Sequence, residues 1–181
     1  MYGQCVPRGL RFTRARQTAL WIIIAVSLST SGCANFAQVD HAVYRSAQPT
    51  GAQLLYWSQE HGIRSVLNLR GEGDTRIDYL VERAVCESAG LRLYNLPLSA
   101  RRAPTVQEIE VLASIFWSAP KPILVHCKSG SDRTGLAVAV YLMFIRGRTS
   151  RSAVDEALSW RYGHLRFVHP ELSAYLLEHY E

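Results

Sequence analysis

Residues 126–135 read His126-Cys127-Lys128-Ser129-Gly130-Ser131-Asp132-Arg133-Thr134-Gly135. A cysteine and an arginine, with five residues between them, bracket a loop of small and polar side chains. An apolar run, Pro122-Ile123-Leu124-Val125, leads in, and a long apolar segment from Leu136 to Ile145 leads out. The layout predicts a strand, a tight loop and the N-terminus of a helix. Such a loop gathers successive backbone N–H groups into one concavity, and the helix dipole favours an anion there. A cysteine at its mouth feels the same field, which favours the thiolate, the nucleophilic form. Arg133 adds a planar fork of donors suited to two oxygens of a phosphate.

The decapeptide resembles the signature of the cysteine-dependent protein tyrosine and dual-specificity phosphatases, His-Cys-x5-Arg-Thr/Ser-Gly, with His126, Cys127, Gly130, Arg133, Thr134 and Gly135 as its anchors. The Asp132-Arg133 pair resembles the loop of bacterial tyrosine and phosphoinositide-type members. Val43-Tyr44-Arg45-Ser46-Ala47-Gln48-Pro49 is similar to the entry segment of small bacterial and atypical dual-specificity members. The resemblance runs from about Ala42 to about Tyr175. It implies that Cys127 attacks phosphorus and carries a phosphocysteine. Lys128, Ser129, Gly130, Ser131, Asp132 and Arg133 would surround the phosphate. His126 would orient the loop, and Thr134 would offer its hydroxyl to the sulfur. Lys128 matches a lysine of some lipid-phosphate members. No metal and no cofactor are implied.

The same resemblance calls for a general acid, usually an Asp on the loop after the strand that precedes the signature strand. That stretch here, Leu96-Pro97-Leu98-Ser99-Ala100-Arg101-Arg102-Ala103-Pro104, contains no carboxylate. Asp132 is the first candidate, with Asp74 and Asp78 next. A charge stabilising the helix dipole is the competing reading of Asp132.

The front of the chain reads as a targeting segment. Arg8, Arg11, Arg14 and Arg16 precede an apolar run, Ala19-Leu20-Trp21-Ile22-Ile23-Ile24-Ala25-Val26, and then Thr30-Ser31-Gly32-Cys33. This is the order of a bacterial signal peptide over residues 1–32, with Cys33 as the lipidated residue of a lipoprotein facing the periplasm. Cleaved soluble export and an uncleaved N-terminal anchor are the alternatives. Residues 33–41 would be a tether and 42–181 the catalytic domain. Of 20 basic residues those four arginines lie ahead of Cys33, so 16 face 15 acidic ones beyond it, a net of +1. The basic balance of the whole chain belongs to the targeting segment and gives no case for a nucleic-acid partner.

The elements that must position the loop follow from spacing. A weakly alternating run at Val43–Ala47 predicts an edge strand. Thr50 caps a helix that stops at Gly62. Arg64–Leu69 alternates as a strand. A helix is expected over Arg76–Ala89 with Gly90 at its end, a strand over Leu91–Leu98, and a capped helix from Thr105-Val106-Gln107-Glu108 to Trp117. Further helices are expected over Ser152–Arg161 and Pro170–His179. Alternating strands and helices predict a single α/β domain: a central, mostly parallel sheet of four or five strands with helices on both faces.

At the C-terminal edge of such a sheet Arg70, Arg101 and Arg102 become rim candidates for an anionic substrate. His164 and His169 read as structural. Cys86 reads as a buried helix residue or, by the resemblance, a redox partner of Cys127. The expected activity is phosphomonoester hydrolysis on a phosphorylated protein. A membrane-attached lipid phosphatase acting on phosphoinositide or lipid A is the alternative, and the lipid anchor would make the bacterial membrane a partner. A non-catalytic phosphate-binding envelope protein and a sulfur-transfer or arsenate-reducing enzyme are the other classes.

Overall fold

The computed structural model describes residues 35–72 and 76–180. The segment expected to be a signal peptide, Cys33 and Asp74 lie outside the described residues. Five strands form one sheet: β1 (Ala37–Gln38), β2 (Val43–Ser46), β3 (Ser65–Asn68), β4 (Arg92–Asn95) and β5 (Ile123–His126). Their order across the sheet is β1-β2-β5-β3-β4, and only β1 runs antiparallel to its neighbour. The signature strand β5 therefore sits at the centre, in register with β2 (Ser46 opposite His126) and with β3 (Asn68 opposite His126). All four of its residues are buried. A fully buried strand of this kind, apolar over Ile123–Val125, suits a parallel sheet covered on both faces.

Helices α1 (Gly51–His61) and α2 (Arg76–Ala89) cover one face, where Leu54, Trp57 and Cys86 pack against Tyr44, Val66 and Leu124. Helices α3 (Val106–Ser118), α4 (Asp132–Phe144), α5 (Ser150–Ala157) and α6 (Pro170–His179) contribute to the other face, against Val43, Leu67, Ile123 and Val125. Thr105 forms the reciprocal capping box with Glu108 that its spacing predicts, and Thr50, expected as a cap, forms one with Gln53 as well. Helix α4 is buried along Thr134–Leu142, as an all-round apolar sequence requires.

Three expectations are corrected. The segment at Val43–Ser46 is not an edge strand: it lies between β1 and β5, and all four of its residues are buried. Arg45 and Ser46 gave it a polar reading, yet both are buried. The tether expected over 33–41 belongs to the fold from Asn35 onward. Phe36 stacks on Trp57 (4.2 Å between centroids), and Ala37–Gln38 pairs with Tyr44–Arg45. A two-residue strand leaves no periodic signal. The helix expected over Ser152–Arg161 is shorter: α5 ends at Ala157, and a separate 3-10 turn spans Trp160–Tyr162, closed by Gly163 in the left-handed region (φ 79°).

Candidate active site

The loop from Cys127 to Ser131 joins the centre of the sheet to α4, which begins at Asp132. Cys127 is 1% exposed, and its Sγ accepts a hydrogen bond from the Gly130 N–H at 3.3 Å. Gly130 has φ +75°, a region that side chains other than glycine rarely adopt. A Cβ there would also lie 2.7 Å from the Ala47 nitrogen and the Ser46 carbonyl carbon. The sharp turn and the close approach of β2 each demand glycine. Gly135 is fixed differently: a Cβ would lie 2.8 Å from Ala157 O, so α4 and α5 could not approach.

The side chain of Ser131 does not cap α4; its hydroxyl donates to Tyr162 O at 2.6 Å. The first N–H groups of α4 thus keep the orphan character that suits an anion. Arg133 is half-buried, and its Nη1 donates to Leu69 O (3.4 Å). The same carbonyl accepts from Leu98 N (3.2 Å), so the loop after β4 starts beside Arg133. This is the carboxylate-free stretch 96–104.

Arg45 braces the loop from below. It is 1% exposed; Nη2 donates to Gly130 O (2.8 Å) and Nη1 to Ala157 O (3.0 Å), and the guanidinium lies 3.6 Å from the centre of the Tyr162 ring. Burial lowers its pKa to about 10, although the Tyr162 and Cys127 charges oppose that fall. Beside it, the Gln48 N–H donates to Lys128 O (3.2 Å), and Arg70 Nη1 donates to Gln48 Oε1 (2.8 Å).

His126 is fully buried, with Nε2 2.5 Å from Glu82 Oε1. The Glu82 carboxylate thus abuts the buried imidazole. The other Glu82 oxygen accepts from Asn68 Nδ2 at 2.6 Å. Glu82 and Asn68 therefore hold the ring from α2 and β3.

The predicted residues separate as follows. Cys127, Gly130, Ser131 and Arg133 meet in one loop, with Lys128 and Ser129 exposed on its outer side. Asp132 also lies there, but its Oδ1 is 2.8 Å from Nδ1 of the buried His164, a residue that the spacing reads as merely structural. Thr134 Oγ1 is buried and finds no hydrogen-bond partner among the described residues; the expected bond to the sulfur is not formed. Asp78 pairs with Arg70 (3.4 Å). Of the rim candidates, Arg70 is buried, Arg102 makes a two-pronged bond to Glu108 (2.8 and 2.6 Å), and Arg101 stands exposed. His169 lies 3.4 Å from Glu171 at the start of α6. Cys86 packs in the core cluster of the α1–α2 face and Cys127 in the cluster of the other face, and both thiols are free and buried.

Sequence reasoning missed Arg45 and Gln48 as parts of the site, although both stand in the 43–49 segment. Glu82 and Asn68 carry no such signal: one sits inside an amphipathic helix, the other at a strand end.

Residues 16–166 match the family model described as DSP-PTPase phosphatase fused to NAD+ kinase. The chain belongs to this phosphatase family. Among relatives of this DSP-PTPase member, the dual specificity protein phosphatase TpbA of Pseudomonas aeruginosa is 28% identical over 130 residues, which are 71% of this chain and 56% of TpbA. The inositol diphosphatase DSP1 of Oryza sativa is 35% identical over 109 residues, 58% of this chain and 47% of that protein. The chain thus spans about half the length of these curated relatives. The crystal structure of a TpbA variant in complex with pTyr superposes with a TM-score of 0.63 at 25% identity, covering 81% of this chain and 90% of that one.

Proposed function

We propose that this chain hydrolyses phosphate monoesters, phosphotyrosine in first place, through a phosphocysteine on Cys127. The observation that carries the reading is the loop itself: a buried sulfur receiving the Gly130 N–H, ahead of an uncapped helix start and Arg133. Sγ attacks phosphorus as the ester P–O bond breaks, and the leaving oxygen takes a proton. Water then attacks the phosphocysteine, the P–S bond breaks, and inorganic phosphate leaves. Arg133 and the loop amides stabilise the charge spread over the equatorial oxygens. Asp132 is the proposed proton donor. It is the carboxylate on the phosphate loop, whereas Asp78 is paired with Arg70 and Glu82 is buried behind His126. His164 holds Asp132 by one oxygen.

Phosphotyrosine is favoured by the pTyr complex of TpbA, the structural relative. Phosphate release should be measured on a phosphotyrosine peptide, a phosphoserine peptide, a phosphoinositide and an inositol pyrophosphate, beside Cys127→Ser. The reading expects the highest kcat/KM on phosphotyrosine and no release by Cys127→Ser. Release that survives Cys127→Ser overturns the mechanism; preference for an inositol phosphate or phosphoinositide overturns the substrate.

For the front of the chain we propose lipid attachment at Cys33 and an envelope membrane location. The basic residues, the apolar run and the small residues before Cys33 support it. Labelled palmitate should enter the parent and not Cys33→Ala. No label in the parent refutes it.

A further inference from the structure

Asn35, the first described residue, is pinned to the phosphate loop. It holds a left-handed backbone (φ 48°), and its Nδ2 donates to Ser129 O (3.1 Å) and Tyr162 O (2.9 Å). Cys33 is two residues upstream. A chain spans at most about 3.3–3.6 Å per residue, so two residues of chain reach no more than about 7 Å. A lipid on Cys33 would leave almost no slack between the bilayer and the active-site loop.

The surface at that point is apolar where monomers usually are not. Trp160 and Phe167 are 84% and 83% exposed, and with Leu165 they line a cleft of about 320 Å³ in which the Asp155 carboxylate is paired with Arg166 (2.7 Å). Val168 continues the patch, half exposed. Exposed Arg161 stands beside it, and Lys128 is exposed on the loop. Tyr162, between Trp160 and Leu165 in the chain, carries the carbonyl that both Asn35 and Ser131 bond. Exposed apolar patches rimmed by polar residues mark contact sites. Tryptophan at a surface flanked by Arg and Lys suits the headgroup level of a bilayer with anionic lipids.

We propose that Trp160, Leu165, Phe167 and Val168, with Arg161 and Lys128, form a face that rests on an anionic lipid bilayer and holds the phosphate loop at headgroup level. The proposal rests on the Cys33 anchor reading and is independent of which phosphate ester is cleaved. The fold supplies its own control. Trp117 is 81% exposed but ends α3, which leads into the start of β5, whereas the loop follows the end of β5. Trp117 therefore belongs to the opposite edge of the sheet.

The test uses the full chain, extracted from the envelope and reconstituted in vesicles of phosphatidylcholine and phosphatidylglycerol with brominated acyl chains. Bromolipid quenching of tryptophan emission is compared among the parent, Trp160→Phe and Trp117→Phe. Retained activity on p-nitrophenyl phosphate shows that both variants are folded. The face predicts that Trp160→Phe removes most of the quenching and Trp117→Phe leaves it unchanged. Equal effects of the two substitutions, or no effect of Trp160→Phe on vesicle-bound protein, overturn the face and leave the patch to a protein partner. Failure of the parent to float with vesicles overturns the anchor and this face together; phosphatase activity in the same sample keeps the chemistry standing.

Discussion

Replacing Arg45 by methionine tests whether the phosphate loop depends on a brace beneath it. Two buried carbonyls, Gly130 O and Ala157 O, lose a charged donor, at about 1–3 kcal/mol each. The contact with the Tyr162 ring contributes about 1–2 kcal/mol more. Against this, methionine removes a buried charge whose pKa is held down at about 10 from 12.5, a relief of roughly 3 kcal/mol. The balance is a net loss centred on about 2–3 kcal/mol, within a span of about 0–5 kcal/mol. The unfolding free energy from a urea titration should fall by that amount, with the midpoint lower and the slope unchanged. Gly130 would lose the partner of its carbonyl, and with it the register of the N–H that faces Cys127. The kcat on p-nitrophenyl phosphate should fall at least about tenfold, or about 1.4 kcal/mol of barrier. A stability change under about 0.5 kcal/mol together with kcat within about twofold of the parent would refute the brace.

Asp132→Asn should slow hydrolysis of an alkyl phosphate far more than that of p-nitrophenyl phosphate, whose leaving group needs no proton. Equal loss on both substrates, measured as kcat, removes Asp132 from the acid role. Burial, with Glu82 and Glu87 beside it, pushes the Cys86 thiol up to about 12 from 9.0. Unfolded chains release this proton near pH 9 and folded ones do not, so the group's contribution to stability is complete below pH 9 and is lost as pH rises toward 12. Parent and Cys86→Ala should diverge in unfolding free energy across that window; parallel curves contradict the burial. Peroxide followed by peptide mapping should give oxidised Cys127 without a Cys127–Cys86 bond, and finding that bond contradicts their placement in separate core clusters.

Much of this site was legible because its chemistry is local. Cys127, Gly130 and Arg133 lie within seven residues, and the flanking runs Ile123–Val125 and Leu136–Ile145 are apolar. The strand at Val43–Ser46 was misplaced because Arg45 is polar, and an isolated strand gives no reason to bury an arginine. The reason lies across the fold, in the carbonyls of Gly130 and Ala157. His164 was read as structural because its partner, Asp132, is 32 residues away, and no spacing rule joins them. Glu82 sits in an amphipathic helix where any glutamate reads as solvent-facing, until the sheet brings His126 beneath it. The supporting shell consists of long-range pairs, and one-dimensional pattern carries little about those.

The central claim is that Cys127 itself carries the phosphoryl group during turnover. Rapid quenching of the full chain in hot detergent during turnover of a 32P-labelled phosphotyrosine peptide, followed by peptide mapping at alkaline pH, measures this directly. The phosphocysteine mechanism predicts an alkali-stable, acid-labile phosphoryl group on the peptide containing Cys127, absent from Cys127→Ser. Steady turnover with no labelled protein, or with label on another residue, would contradict it.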